Sequence, residues 1–332
     1  MTPAPTTSTT AEAAEILRLI DAHQAMLVIS HKDADGDTLG SALAMCDILR
    51  AKGKTVAMRV PPPVPEVYSF LPGFEVINQE EAGPPGLILI MDSSNLDRLG
   101  DVLGQPAAGT PIVNIDHHVS NTRFGDVNLV VPEASSTAEV TYNLFRAWGV
   151  EISPAAATNL YCGILTDTGG FRHENTDYNA LAISAELVAL GADPADVAMR
   201  IYKNNKLTTI KLQALVMATV GFDCEDRLVH AFVSQALLEK SGALMEEADG
   251  MIDMLNSVDG LELALFFKEI EPNRLTKVSI RSRGQANANV LASKFGGGGH
   301  ERAAGVEVEM PLAEAMEVIL EEARRMISDS NG

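Results

Sequence analysis

The chain has 332 residues, 46% of them hydrophobic, with regular Gly and Pro punctuation, so a folded protein with room for two cores is expected. A formal charge of −20, from 45 acidic against 25 basic residues, excludes a broad electrostatic grip on long nucleic acid. Such a grip needs clustered Lys and Arg to displace counterions, whereas short anionic substrates captured by bound cations stay open.

No run approaches the ~18 to 20 apolar residues of a membrane span, and the start of the chain lacks the basic and apolar regions of a secretory signal. Cys46, Cys162 and Cys224 are too far apart for a disulfide framework or a cysteine zinc site. A cytoplasmic protein without a membrane partner is the expectation.

Residues 1–10, rich in Thr and Pro, read as a disordered tail, and residues 11–23 as an amphipathic helix carrying Ile16, Leu17 and Ile20 on one face. The apolar run Met26-Leu27-Val28-Ile29 reads as a buried strand. It opens directly onto Ser30-His31-Lys32-Asp33-Ala34-Asp35-Gly36-Asp37. In an open α/β sheet, ligands bind beyond the carboxyl ends of the strands, which is where this histidine and these acids fall. Acids packed this tightly repel one another unless cations neutralise them, although an acid-rich turn with one glycine is also a common solvated loop.

A helix over 39–51 follows, with Gly53 as its C-terminal punctuation, then a strand over 55–60 stopped by a proline cluster. Residues 86–91 form the plainest buried strand and run into Asp92; residues 110–115 repeat the pattern and run into Asp116-His117-His118. Three strands thus deliver acids and imidazoles to one sheet edge. Ser135 to Glu139 caps a helix that continues through Trp148, whose indole reads as packing. Residues 154–165 are helical and end near Asp167-Thr168-Gly169-Gly170, with His173 beyond as a surface residue. Asp193-Pro194 starts another helix, and residues 207–220 read as a helix bridging two domains.

From Arg227 the texture changes to short β-like runs, at 228–233, 261–270 and 276–281, separated by helices. The run Gly296-Gly297-Gly298-Gly299-His300 lies between a helix over 288–295 and a strand over 306–308. Four glycines are costly to order, and a phosphate touching the main chain is the usual reason. Arg281 and Arg283 close the preceding strand, where either side chain can clamp a phosphate or simply face solvent. The expected architecture is α/β: a parallel-sheet domain over 11–200, a helical linker over 201–224 and a smaller α+β domain over 225–328.

Taken in order, His31-Lys32-Asp33-Ala34-Asp35-Gly36-Asp37, Asp92, Asp116-His117-His118 and Asp167-Thr168-Gly169 resemble the motifs of the DHH phosphoesterase superfamily. Gly296 to His300 resembles the signature of its associated C-terminal domain, and the two-domain size is most similar to the nano-RNase branch. The resemblance covers roughly residues 12 to 325.

It implies two Mn²⁺ ions, with Mg²⁺ as an alternative. His31, Asp35 and Asp92 would hold one, and Asp37, Asp92, His117 and Asp167 the other. It also implies hydrolysis of short RNA or DNA oligonucleotides to mononucleotides and of 3'-phosphoadenosine 5'-phosphate to AMP. Attack would come from a metal-bridged hydroxide, since two cations about 3.5 to 4 Å apart acidify a shared water. Asp92 and His117 would act through the metals and His118 on the developing charge. Arg281, Gly297, Gly298, Gly299 and His300 would position the substrate, and a homodimer is compatible with this reading. Rival readings are a cyclic or linear dinucleotide phosphodiesterase and, outside enzymes, a nucleotide-sensing binding module.

Overall fold

The computed structural model describes residues 7–79, 83–203 and 206–329. The chain forms two compact units, Met1–Asn204 and Asn205–Gly332.

The first unit is built on a parallel sheet of β1 (Ala25–Ser30), β2 (Thr55–Arg59), β3 (Leu87–Met91), β4 (Ile112–Asp116) and β5 (Val127–Val130), in the order β2-β1-β3-β4-β5. Every residue of β3 is buried, as a central parallel strand covered on both faces requires. Its side chains alternate between the two faces. Leu87, Leu89 and Met91 join the larger core with α1 (Thr7–Ala22), α2 (Gly36–Ala51), α3 (Thr137–Trp148), α4 (Pro154–Asp167) and α5 (Tyr178–Ala189); Ile88 and Ile90 join a smaller core with Ile29 and Leu99. The last helix of this unit is α6 (Pro194–Tyr202), started by the Asp193 cap.

The strand order reverses between β1 and β3, so a crevice opens beyond their carboxyl ends. His31 follows β1 and Asp92 follows β3. The helices α2 and α4 approach backbone to backbone: a Cβ at Gly40 would lie 2.3 Å from the Asn159 carbonyl.

The second unit begins with α7 (Leu207–Met217), whose Leu212 and Val216 are buried in that unit's own core. The helix expected to bridge two domains therefore packs as part of one, because its apolar stripe meets Val229, Ala231 and Phe266. A mixed sheet follows: β6 (Gly221–Asp223), β7 (Leu228–Val233), β8 (Leu263–Glu271), β9 (Leu275–Ser282), β10 (Gly298–Gly299) and β11 (Ala303–Val308), in the order β10-β11-β9-β8-β7-β6, with β7 and β8 its parallel pair. One face packs α10 (Ala288–Ser293) and α11 (Leu312–Asp329), the other α7 and the short helices α8 (Gln235–Ser241) and α9 (Met251–Leu255).

Some boundaries differ from expectation. The first helix begins at Thr7 instead of 11, so only the first six residues of the expected tail lie outside the described ones. The strands β5, β6 and β10 are too short to announce themselves by periodicity. Trp148 packs against Phe145 and donates its indole N–H to the Ala13 carbonyl at 2.8 Å.

Candidate metal centre

Backbone geometry brings the expected residues together at the crevice. His31, 2% exposed, lies with Nε2 3.3 Å from Asp92 Oδ2. Asp35 is the N-cap of α2, its Oδ1 accepting the amides of Asp37 at 3.0 Å and Thr38 at 2.9 Å. Asp37 stands in the first turn of α2, buried, and its two oxygens accept the Thr137 and Ala138 amides at 2.7 and 2.8 Å. Those amides are free because they open α3, where a helix start presents donors and positive potential. Gly163 admits this carboxylate, since a Cβ there would come within 2.8 Å of Asp37 Oδ1.

Asp92 leaves β3 in the left-handed region, φ 57°, and its oxygens are tied by two buried hydroxyls. Thr38 Oγ1 donates to Oδ2 at 2.7 Å and Thr137 Oγ1 to Oδ1 at 2.8 Å. Thr38 Oγ1 also lies 2.9 Å from both Asp35 Oδ1 and His31 Nε2, linking three of the expected ligands. Asn95 caps the turn that follows, its Oδ1 accepting the Arg98 amide at 3.2 Å.

His117 is oriented by the Ala134 carbonyl, 3.2 Å from Nδ1, which turns Nε2 toward Asp167 at 3.4 Å and Asp92 at 3.9 Å. Next to it, His118 Nδ1 lies 2.7 Å from Asp116 Oδ1, and Asn121 holds the second oxygen of Asp116 at 2.6 Å. Two groups of donors lie within 4.8 Å of one another: Asp92, His117 and His118, and Asp37, His117 and Asp167. The nitrogen of His118 nearest Asp92, 3.6 Å away, is thus already committed to Asp116.

The electrostatics follow from crowding. Burial and the fields of Asp92, Asp167 and Asp35 push the Asp37 carboxyl well above its ordinary range. Burial likewise raises Asp167 to about 7, against the opposing pull of His117. At Asp92 burial works in the same direction, but the His31 hydrogen bond and the three neighbouring imidazoles outweigh it and hold the group at about 2. His118 is raised, chiefly by its bond to Asp116.

Asp33, the additional acid of the motif, is exposed at φ 58° and makes no hydrogen bond or ion pair among the described residues. His173, exposed as expected, lays its ring over Gly169. Thr38, Thr137 and Arg98, none singled out from the sequence, sit against the expected ligands. The acid at position 139, read as part of a cap, is buried and bonded to Ser135.

In the second unit the glycine run forms a hairpin with β11, Gly298 opposite Gly305. Close packing demands glycine at two of its positions: a Cβ at Gly297 would lie 2.4 Å from the Gly305 carbonyl, and one at Gly299 2.5 Å from the Ala303 carbonyl. Gly298 faces open space, with Asn289 Oδ1 3.9 Å away. His300 is exposed, bonded through its backbone to Ala303, and the Arg281 guanidinium lies 3.5 Å from Asp253.

Residues 25–164 match the model of the DHH family, N-terminal domain, and residues 225–329 that of the DHHA1 domain. The chain is 36% identical over 318 residues, 95% of its length and 93% of the relative's, to the bifunctional oligoribonuclease and PAP phosphatase NrnA of Thermus thermophilus. It is 29% identical over 301 residues, covering 89% and 92%, to the protein of the same name from Bacillus subtilis. Among solved structures, that of an exopolyphosphatase-related protein from Bacteroides fragilis has a TM-score of 0.87 at 25% identity, covering 95% of this chain and 96% of that one.

Proposed function

Because this chain belongs to the DHH family and carries the DHHA1 domain, we propose that it is a Mn²⁺-dependent phosphoesterase of short oligonucleotides, RNA or DNA, and of 3'-phosphoadenosine 5'-phosphate. The products are mononucleotides and AMP. The substrate class is supported by the names of the two NrnA relatives.

The observation that carries the chemistry is the convergence of His31, Asp35, Asp37, Asp92, His117 and Asp167 from four segments onto one crevice. The donor set fits the ions: imidazole nitrogens and carboxylate oxygens without thiolate suit Mn²⁺ and admit Mg²⁺. Carboxylates this close together stay ionised beside cations. His31, Asp35 and Asp92 would hold one ion, and Asp37, Asp92, His117 and Asp167 the other, with Asp92 shared. When bound, the ions supply a water that ionises near neutral pH and positive charge toward the phosphoryl oxygens.

The remaining work falls to the chain. Asp116 fixes one ring nitrogen of His118 and leaves Nε2 for substrate, to neutralise charge on a phosphoryl oxygen or pass a proton to the leaving oxygen. Threonines 38 and 137 hold the plane of Asp92. Arg281, His300 and the backbone of Gly297, Gly298 and Gly299 anchor substrate phosphates.

The test is a side-by-side digestion, with Mn²⁺, of labelled 2- to 24-mers, 3'-phosphoadenosine 5'-phosphate, pyrophosphate and cyclic di-AMP. Turnover concentrated on the shortest oligomers and on the bisphosphate is expected. Preference for pyrophosphate or for cyclic di-AMP would overturn the substrate assignment.

A further inference from the structure

Arg98 stands half-buried in the segment after β3, held at both ends of its backbone. Its amide donates to Asn95 Oδ1 at 3.2 Å, and its carbonyl accepts the Lys32 amide at 2.8 Å, which ties it to the residue following His31. The side chain returns over His31, with Nη2 3.1 Å from Nδ1 and 3.2 Å from Nε2. A nitrogen nearly equidistant from both ring nitrogens at this range lies over the face of the imidazole, not along either in-plane lone pair. Guanidinium groups stack on flat rings in this way and keep their N–H fork for other partners.

The stack leaves the in-plane nitrogens of His31 to their own partners, Nδ1 to the Lys32 carbonyl and Nε2 to Thr38 Oγ1 and Asp92. It also leaves a cation beside the acid cluster with no carboxylate oxygen within ion-pair distance among the described residues. In a chain with 45 acidic against 25 basic residues, a half-buried arginine without an acidic partner calls for another anion. The fork geometry suits two oxygens of one phosphate.

We propose that Arg98 binds a phosphate group of the substrate, so that the first unit supplies its own anion-recognising side chain beside the metal ligands. This rests on the phosphoesterase reading above. Loss of the fork removes substrate affinity and transition-state charge stabilisation while leaving the ions in place.

The experiment compares wild type with Arg98→Lys and Arg98→Gln in three measurements: Mn²⁺ binding by electron paramagnetic resonance, steady-state hydrolysis of 3'-phosphoadenosine 5'-phosphate and a dinucleotide, and calorimetric binding of inorganic phosphate to the Mn²⁺-loaded protein. Expected for Arg98→Gln are Mn²⁺ affinity within about twofold, kcat/KM down by about 10²-fold and phosphate affinity down at least about tenfold, with Arg98→Lys intermediate. Unchanged phosphate affinity in Arg98→Gln, or a loss of Mn²⁺ binding matching the loss of activity, would overturn the proposal and make Arg98 a support for His31. If wild type hydrolyses none of the phosphoesters, the phosphoesterase reading fails, and phosphate binding with and without the guanidinium still decides the role of Arg98.

Discussion

The two regions assigned to chemistry and to substrate are built in opposite ways. Around Asp92 each carboxylate oxygen has a buried threonine hydroxyl, Asp37 is fixed by two helix amides, and each of the adjacent histidines is turned by a specific oxygen. Around Gly298 and His300 the side of the hairpin is exposed, and Arg281 has one acid at 3.5 Å on a mostly exposed Asp253. A cluster of like charges needs rigid support to keep its geometry, whereas a phosphate cradle needs open backbone and cations free to move onto the ligand. Substitutions in the first region should therefore remove chemistry, and those in the second should change affinity.

The largest effect is expected at the shared ligand. Asp92→Ala should lower hydrolysis by more than about 10³-fold, exceeding the 10- to 100-fold typical of changes to groups behind the ligands, as read by turnover with saturating Mn²⁺. Near-normal turnover would collapse the contrast. Next, His118→Asn should lower kcat by about 10²-fold with Mn²⁺ affinity kept, because its near nitrogen is bound to Asp116. An equal loss of Mn²⁺ would move His118 into the ligand set.

Smaller effects sharpen the same contrast. Thr137→Val keeps shape and removes one hydroxyl from Asp92, and a Mn²⁺ affinity about tenfold weaker is expected, restored by Thr137→Ser. In the second unit His300→Ala should raise KM by about tenfold, or roughly 1.4 kcal/mol, with kcat little altered. The glycine hairpin separates packing from binding. Gly297→Ala forces a Cβ against the Gly305 carbonyl and should cost about 1–3 kcal/mol of stability in a thermal melt. Gly298→Ala has room and should keep Tm while raising KM.

Much of the catalytic half is legible because continuous apolar strands ending in Asp or His are a local pattern, and β1, β3 and β4 each carry one. The parallel order and the crevice follow from the βαβ rhythm. What the sequence does not disclose are pairings between distant segments. Ser136 can be read as a cap, but not that the next two amides hold Asp37, a hundred residues earlier. Thr38 and Thr137 look like ordinary helix-start residues, and Arg98 like a surface charge. The glycine run reads as a phosphate cradle, while two of its glycines are also demanded by the hairpin partner, a constraint visible once β10 is set against β11. Sequence pattern misplaces α7 because an amphipathic helix does not say which neighbour covers its stripe.

The most direct test of the crevice as a two-ion hydrolytic centre is the Mn²⁺ stoichiometry of wild type and Asp92→Ala, by calorimetry or electron paramagnetic resonance, with hydrolysis measured on the same samples. Two ions per chain in wild type, and loss of at least one together with turnover in the variant, is the expected result. A single ion in the active wild type, or two retained ions with full activity after the substitution, would contradict it.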